Sequence, residues 1–358
     1  MPPTLSFQLQ NIQQRRDGTS LSELIVQGLL STPLKLPSLL LWDDDGLRLF
    51  DALTQTPTYY LHDKEVEILA QYANDMAARI PSGSVLIELG CGSLRKTGAI
   101  LSALERKNKA IDYYALDVSP GELSDSLATL TARLGPSSGV KVHGLVGTYE
   151  DCISWLAGNP WPQKQVDLVT LLWMGNSVAN HGQLEASSVL GQFARAVQGA
   201  GVPCQFLVAV DACQKESRVL EAYDSDQEAL REFILNGLRH ANTIMGRQMF
   251  NSDEWDCVCR FDAHDHTLRV YYTCRMDTEL TVDGHRLSLA NGSQIEAITS
   301  GKWTVGDVQQ IAKRAGLRVK DRWCDAECIY CETTICPTLL FDTNRGRLLY
   351  NDCRLSLL

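Results

Sequence analysis

The sequence predicts an α/β fold, a doubly wound and mostly parallel sheet interrupted by a smaller α+β insertion. Three observations carry this. Between about residues 84 and 211, apolar runs of strand length alternate with stretches of helical periodicity. The first run ends in a glycine turn, Gly90-Cys91-Gly92, that opens the next helix. From about residue 214 to 302 the rhythm stops, and a helical stretch gives way to alternating residues and turn dipeptides.

The elements follow in order. Val85-Leu86-Ile87-Glu88-Leu89 is an apolar strand, and the stretch from Arg95 to Lys107 carries Ile100, Leu101 and Leu104 at helical spacing. Ile111 to Leu116 is the next strand, ending at Asp117, with a helix from Glu122 to Leu134 behind it. A strand from Lys141 to Leu145 precedes a helix from Thr148 to Ala157. A strand from Val166 to Leu172 precedes a helix from Gln183 to Val197. Cys204 to Val210 is one more strand, ending at Asp211. The insertion opens with a long helix from Ser217 to Met245. Strands follow from Trp255 to Phe261, Thr267 to Met276, Glu279 to Val282 and Arg286 to Leu289, with turns at Asp283-Gly284 and Asn291-Gly292. The pattern then returns to a helix from Thr304 to Ala315 and strands from Arg318 to Trp323 and Cys328 to Ile335. The irregular, apolar stretch before Leu61 is assigned to the second domain. The expected division is residues 62–213 with 303–338 for the sheet domain, 18–61 with 214–302 for the inserted domain, and 339–358 as a tail.

Composition narrows the function. The chain has 358 residues, 44% of them hydrophobic, and a formal net charge of -10. An acidic surface repels phosphate backbones, and no basic run appears, so neither nucleic acid nor an anionic membrane is an expected partner. Residues 1–17 lack the apolar core of a signal peptide, and Leu36 to Trp42 is too short to span a bilayer. A cytoplasmic protein, monomer or homodimer, is expected. Its 12 cysteines then read mainly as reduced thiols. The cluster Cys324, Cys328, Cys331 and Cys336 matches no standard zinc spacing.

Leu86-Ile87-Glu88-Leu89-Gly90-Cys91-Gly92-Ser93 carries the chemistry. Glycines let the backbone turn tightly and come close to a nucleotide. A dinucleotide loop wants a third glycine where Arg95 stands. Its absence, and an acid inside the motif, point away from NAD and toward S-adenosyl-L-methionine (SAM). Asp117 ends the following strand, where a carboxylate can accept both ribose hydroxyls.

Here the sequence resembles the histidine-specific methyltransferases of the ergothioneine pathway, and more closely the fungal 4-dimethylallyltryptophan N-methyltransferases of ergot alkaloid synthesis. The resemblance runs from about Leu36 to Leu339. It rests on Thr58-Tyr59-Tyr60, the run Glu88 to Thr97, Tyr113 to Ser119, Gly147-Thr148-Tyr149, Gly175 to Asn180, Glu221-Ala222-Tyr223 and Lys302-Trp303. It implies a Rossmann-like class I methyltransferase sheet with an inserted substrate-binding domain. By resemblance, Glu88, Gly90, Gly92, Lys96 and Asp117 hold SAM, and its product S-adenosyl-L-homocysteine (SAH), with Thr148 and Tyr149 around the adenine. Asn180 and Tyr223 grip a substrate carboxylate, and Tyr59 lies beside the amine that accepts the methyl group. Trp42, Phe50, Gly175 and Ile298 line the pocket, and Ser300 sits near the substrate side chain.

The chain departs from the family at three positions. The histidine enzymes carry tyrosine where Trp42 stands, glutamate where Ile298 stands and glycine where Ala179 stands. Isoleucine cannot hydrogen-bond an imidazole, and a buried ring left unpaired costs about 1–3 kcal/mol. The expected substrate is therefore a small-molecule aromatic amino acid, with a prenylated tryptophan as the specific candidate, methylated on its α-amine. Two alternatives stay open: a methyltransferase for another amino acid or amine, and a SAM-binding partner without turnover. Each site residue also has an ordinary structural role open to it. Tyr59 and Tyr223 could be packing residues, Asn180 a cap, and Lys96 a solvated helix start.

Overall fold

The computed structural model describes residues 7–14, 20–92, 94–135, 138–161, 165–342 and 347–350, with side chains described through residue 338. Ser93 and the tail residues 343–346 and 351–358 lie outside the described residues. In chain order the strands are β1 (Gln8–Asn11), β2 (Ser84–Leu89), β3 (Ile111–Asp117), β4 (Val140–Val146), β5 (Val169–Trp173), β6 (Cys204–Asp211), β7 (Trp255–Asp262), β8 (Thr267–Cys274), β9 (Thr278–Val282), β10 (His285–Leu289), β11 (Gln294–Gly301), β12 (Leu317–Cys324), β13 (Tyr330–Pro337), β14 (Leu339–Asp342) and β15 (Arg347–Tyr350). The helices are α1 (Leu21–Leu29), α2 (Asp44–Thr54), α3 (Tyr60–Ala78), α4 (Thr97–Arg106), α5 (Pro120–Leu134), α6 (Tyr149–Ala157), α7 (Gln183–Gly199), α8 (Glu216–Ala222), α9 (Glu228–Met245) and α10 (Val305–Arg314). The chain divides into two compact units. One is Met1–Gln13, Lys64–Ala212 and Trp303–Leu358; the other is Gln14–Asp63 and Cys213–Lys302.

The first unit holds an eight-stranded sheet in the order β1-β4-β3-β2-β5-β6-β13-β12. The six strands from β1 to β6 run parallel, and β13 and β12 pair antiparallel at the far side. Strand order reverses between β2 and β5, and the crevice outside their carboxyl ends is where such sheets bind ligands. Every residue of β2, β5 and β6 is buried, which is why these strands read as unbroken apolar runs rather than alternating ones. Val85, Ile87, Leu171 and Phe206 from the strands pack with Leu190 and Phe193 of α7 and Ile311 of α10. Each fully buried aliphatic side chain contributes about 1.5–3 kcal/mol. Ser119 caps α5 with Pro120 in its first turn, and capping boxes at Thr148 and Thr304 start α6 and α10.

Two features of this unit differ from the sequence reading. Residues before 18 supply β1, a parallel edge strand on β4 with Gln8 opposite His143; its exposed residues carry no alternation to announce it. Cys324 and Cys331 form a disulfide, so the expectation of reduced thiols is corrected for that pair. The cause is register: the two stand opposite each other on β12 and β13 with Cα atoms 4.2 Å apart. Cys328, read as part of the last strand, lies in the preceding turn with φ 56°. Among the described residues, no three His, Cys, Asp or Glu side chains are placed to hold a metal ion, and no helix is long and apolar enough to cross a membrane.

The second unit joins helices to a three-stranded sheet, order β11-β8-β7, and to the β9–β10 hairpin. Asp283 and Gly284 both take positive φ (48° and 78°), as a two-residue hairpin turn requires. Asn291-Gly292 also turns the chain, but it leads from β10 to β11, which pairs with β8 instead. The single helix expected from 217 to 245 is two, α8 and α9. Asp224 accepts the backbone N–H of Asp226 at 3.0 Å, a local bond that competes with helix continuation. The stretch before Leu61 is not irregular: it contains α1, with a capping box from Ser20 to Glu23, and α2, capped by Asp43. β11, which carries Ile298 and Ser300, was also unforeseen; a bulge between Glu296 and Ile298 breaks its alternation.

Candidate active site

In the first unit two loops leave the carboxyl ends of β2 and β5. Gly90 and Gly92 have φ of 69° and 52°, a region side chains rarely adopt. A Cβ on Gly90 would stand 3.1 Å from the Tyr149 hydroxyl, whereas one on Gly92 would meet open space. The Gly92 N–H donates to Asp117 Oδ2 at 3.1 Å, and the N–H groups of Val118 and Ser119 donate to Oδ1 at 2.8 and 3.4 Å. Asp117 is 8% exposed. Burial pushes its pKa up, and these N–H donors pull it back. A carboxylate offers about four lone-pair positions. Three are taken by these N–H groups and the fourth is met by the weak donor Cys91 Sγ at 3.8 Å, so a strong further donor would displace the thiol or share an oxygen.

Glu88 lies beneath this loop. Its two carboxylate oxygens accept from the hydroxyls of Thr97 and Tyr113. Burial raises its pKa to about 7 despite those bonds. Lys96 sits at the start of α4 and pairs with Glu65 Oε2 at 2.7 Å. Glu65, on α3 and 1% exposed, also accepts the Tyr330 hydroxyl at 3.0 Å and, through Oε1, the Gly175 N–H at 2.9 Å. A Cβ on Gly175 would stand 3.1 Å from Lys96 Nζ. One carboxylate therefore ties the loop after β2 to the loop after β5. Glu332 of β13 is fully buried, and neither of its oxygens accepts a hydrogen bond among the described residues. Burial, then the charge of Glu65, holds its carboxyl well above the usual range.

Thr148 is occupied as the cap of α6, exchanging bonds with Asp151. Tyr149, the first residue of that helix, packs edge-on against Trp173 with centroids 5.1 Å apart. Asn180 closes the short 3-10 helix Ser177–Asn180 and is half-buried. Asn176, in the left-handed region at φ 60°, accepts the Asp211 N–H at 2.9 Å and so fixes this loop to the end of β6. Ala179 is fully buried behind it.

In the second unit Trp42, Phe50, Phe233, Tyr59 and Tyr223 form a continuous aromatic cluster. Trp42 lies 5.2 Å from Phe50 and 5.3 Å from Phe233; Phe50 lies 6.1 Å from Tyr59; Tyr59 lies 5.5 Å from Tyr223. The cluster ends in hydroxyls: Tyr59 to Tyr223 at 3.5 Å, and Tyr223 to Ser300 at 3.5 Å. Ile298 is partly buried, two residues before Ser300 on β11, so both side chains stand on one face of that strand. The first unit thus gathers Glu88, Gly90, Gly92, Lys96, Asp117, Thr148, Tyr149, Gly175 and Asn180. The second gathers Trp42, Phe50, Tyr59, Tyr223, Ile298 and Ser300.

Sequence reasoning gave no role to Glu65, Asn176, Phe233 or Lys302, although Asn176 and Lys302 lie inside the matching stretches. Glu65 had a signal, an acid in line with the apolar stripe Ile68, Leu69, Ala73 and Met76. Phe233 had none, because it sits among the core residues of α9.

Comparison with known proteins adds the context. Residues 21–336 match the family described as histidine-specific methyltransferase, SAM-dependent. The N-methyltransferase dtpB of Aspergillus flavus is 44% identical over 328 residues, which cover 92% of each chain. The N-methyltransferase benX of Aspergillus terreus is 42% identical over 318 residues, covering 88% of this chain and 87% of that one. The 4-dimethylallyltryptophan N-methyltransferase easF of Epichloe festucae var. lolii is 29% identical over 327 residues, covering 86% of this chain and 92% of that one.

Proposed function

Because the chain belongs to the histidine-specific, SAM-dependent methyltransferase family, we propose that it methylates the α-amine of an aromatic amino acid, with a prenylated tryptophan as the specific candidate. It is a SAM-dependent N-methyltransferase. The observation that carries the choice of substrate is the aromatic cluster of the second unit, apolar along Trp42, Phe50 and Phe233 and hydroxylated at Tyr59, Tyr223 and Ser300. Such a surface suits a molecule with a large flat ring and a polar head. Ile298, with no hydrogen-bonding atom, favours that ring over an imidazole. The name of the easF relative supports a prenylated indole in particular.

The residues of the first unit fit the cofactor. The positive φ of Gly90 and Gly92, the open space at Gly92, and an acceptor at the end of β3 suit a nucleoside approaching closely. Gly90, Gly92, Asp117, Lys96 and Tyr149 would hold SAM, Asp117 accepting from the ribose. Bound SAM supplies an electrophilic methyl group on its sulfonium sulfur.

The chain's own residues then have three tasks. Tyr59 orients the acceptor amine through its hydroxyl. Tyr223 holds the substrate carboxylate. The aromatic wall excludes water, and a desolvated ammonium has a lowered pKa, so more of the amine presents the lone pair that attacks. Alignment rather than a strong base carries the rate. Glu88, both of whose oxygens are engaged by neighbours, serves the cofactor by supporting the loop. Thr148 does so by starting the helix that carries Tyr149.

Calorimetric titration with SAH, followed in the same cell by tryptophan, 4-dimethylallyltryptophan, tyrosine and histidine, tests this. Micromolar SAH binding with tighter binding of the indole amino acids than of histidine is the expected result. A folded sample that ignores SAH would overturn the assignment of the cofactor residues. Preference for histidine would overturn the aromatic substrate.

A further inference from the structure

Glu65 has one acceptor position left, and the side chain beside it has no donor. A carboxylate offers about four lone-pair positions. On Glu65 three are filled: Oε2 accepts from Lys96 Nζ at 2.7 Å and from the Tyr330 hydroxyl at 3.0 Å, and Oε1 accepts from the Gly175 N–H at 2.9 Å. The open position is on Oε1. Glu332 is 0% exposed, and neither of its oxygens receives a hydrogen bond among the described residues. It follows Tyr330 by two residues on β13, so both side chains stand on the face of that strand that meets Glu65. All of these residues belong to the first unit.

A carboxylate stripped of water and given no donor is far less stable than a carboxylic acid in the same place. The surrounding charges do not reverse this. Burial acts first, Glu65 and Glu88 oppose a second negative charge at Glu332, and the opposing pull of Lys96 is too weak to bring the carboxyl back to its usual range. Two further titratable groups lie close by. The Tyr330 hydroxyl, on the same strand, is committed to Glu65, and Asp211, opposite Tyr330 on β6, adds negative charge. A carboxylic acid, unlike a carboxylate, has one O–H to give. One O–H without an acceptor and one acceptor position without a donor meet between Glu332 and Glu65, which lie within hydrogen-bonding reach of each other.

We infer that Glu332 is a positioning residue for the cofactor: it stands as a carboxylic acid that hydrogen-bonds through its O–H to Glu65 and completes the clamp joining Lys96 to the loop after β5. Glu65 alone sets one negative charge against the one positive charge of Lys96. An ionised Glu332 would make two, hold the ammonium more firmly inward, and leave less of it for the carboxylate of SAM. A neutral donor steadies Glu65 without adding charge, and it offsets part of the weakened ion pair when Lys96 turns toward the cofactor. This rests on the reading of Lys96 as a SAM ligand and adds the residue that lets the lysine serve both partners.

Infrared difference spectra and SAH titration of the full chain test this. The wild-type spectrum minus that of Glu332→Gln should show the C=O stretch of a protonated carboxyl at neutral pH, and that band should shift when SAH binds. In calorimetry Glu332→Gln, whose NH2 group still donates to Glu65, should bind SAH within about twofold of the wild type. Glu332→Leu, which gives Glu65 no donor, should bind it at least about tenfold more weakly, the least expected from losing one hydrogen bond to a charged acceptor. A missing protonated-carboxyl band, a band indifferent to SAH, or glutamine and leucine variants that bind SAH alike would each overturn the proposal. The band and the glutamine variant decide the question should Glu332→Leu not fold. Lys96→Ala is titrated beside them. Wild-type SAH affinity in that variant would refute the reading of Lys96 as a cofactor ligand, whereas weakened binding there with no protonated-carboxyl band would refute the role of Glu332 alone.

Discussion

Asp117→Asn separates two jobs that one carboxylate performs. The wild-type side chain accepts N–H groups from Gly92, Val118 and Ser119. An asparagine of the same shape turns one oxygen into an NH2 group, and in either orientation that group faces at least one backbone donor. Losing one such bond and leaving a buried donor unsatisfied costs about 1–3 kcal/mol of stability. The cofactor side loses more specifically. A hydrogen bond from the ribose to a charged acceptor contributes about 1.5–3 kcal/mol, which corresponds to a rise of about 10- to 150-fold in the Kd for SAH. Calorimetric titration reads the second quantity, and thermal unfolding without ligand reads the first. The pH dependence is a third readout. Burial raises the pKa of Asp117, so wild-type affinity should fall as the pH drops through that raised value, while the asparagine variant should show no such fall. Unchanged SAH affinity with unchanged unfolding would refute both roles.

Two further outcomes follow from the same geometry. Glu88 has its pKa raised by burial from 4.5 to about 7, so the folded protein keeps a proton there that the unfolded chain releases. Its contribution is most favourable below pH 4.5 and is lost, by about 3 kcal/mol, as the pH rises through 7. Glu88→Gln should remove that slope from denaturant titrations run between pH 4.5 and 8, and a slope that survives would assign it elsewhere. Ile298→Glu places a carboxylate on the face of β11 that carries Ser300. The kcat/KM for an indole amino acid should fall about tenfold or more, with histidine gaining relative to it; an unaltered ratio in a competition assay would mean that Ile298 does not meet the substrate ring.

Much of the parallel sheet was legible because its strands are buried on both faces and written as unbroken apolar runs, as in Val85 to Leu89 and Cys204 to Val210. The glycine loop and Asp117 were legible for a related reason, since a turn from strand to helix with an acid after the next strand leaves few readings. What failed to show was structure set by tertiary pairing. β1 is exposed along its length, mostly polar, and exists because β4 offers it an edge. β11 was hidden by its bulge, and the break between α8 and α9 by an apolar spacing that continues across it while Asp224 diverts the backbone. Glu65 lies in no motif and Lys302 lies in a matching stretch that gave it no role; each matters through what it touches after folding: Lys96, Gly175 and Tyr330 for the one, Ser300 and Tyr223 for the other. The resemblance named the side chains of the aromatic cluster except Phe233, which spacing alone left among the core residues of its helix.

The placing of β13 between β6 and β12 has a consequence for biosynthesis. All eight residues of β6 are buried in the finished protein, and the strand that covers its outer edge is not complete until Pro337, more than a hundred residues later. At about 5–20 residues per second, a ribosome leaves that edge without its neighbour for on the order of ten seconds. An apolar strand with open N–H and C=O groups is a template for any other nascent chain. Yield in a heterologous host should therefore depend on translation speed across residues 212–337 and on the supply of chaperones that hold exposed strands, more than on the stability of the folded enzyme.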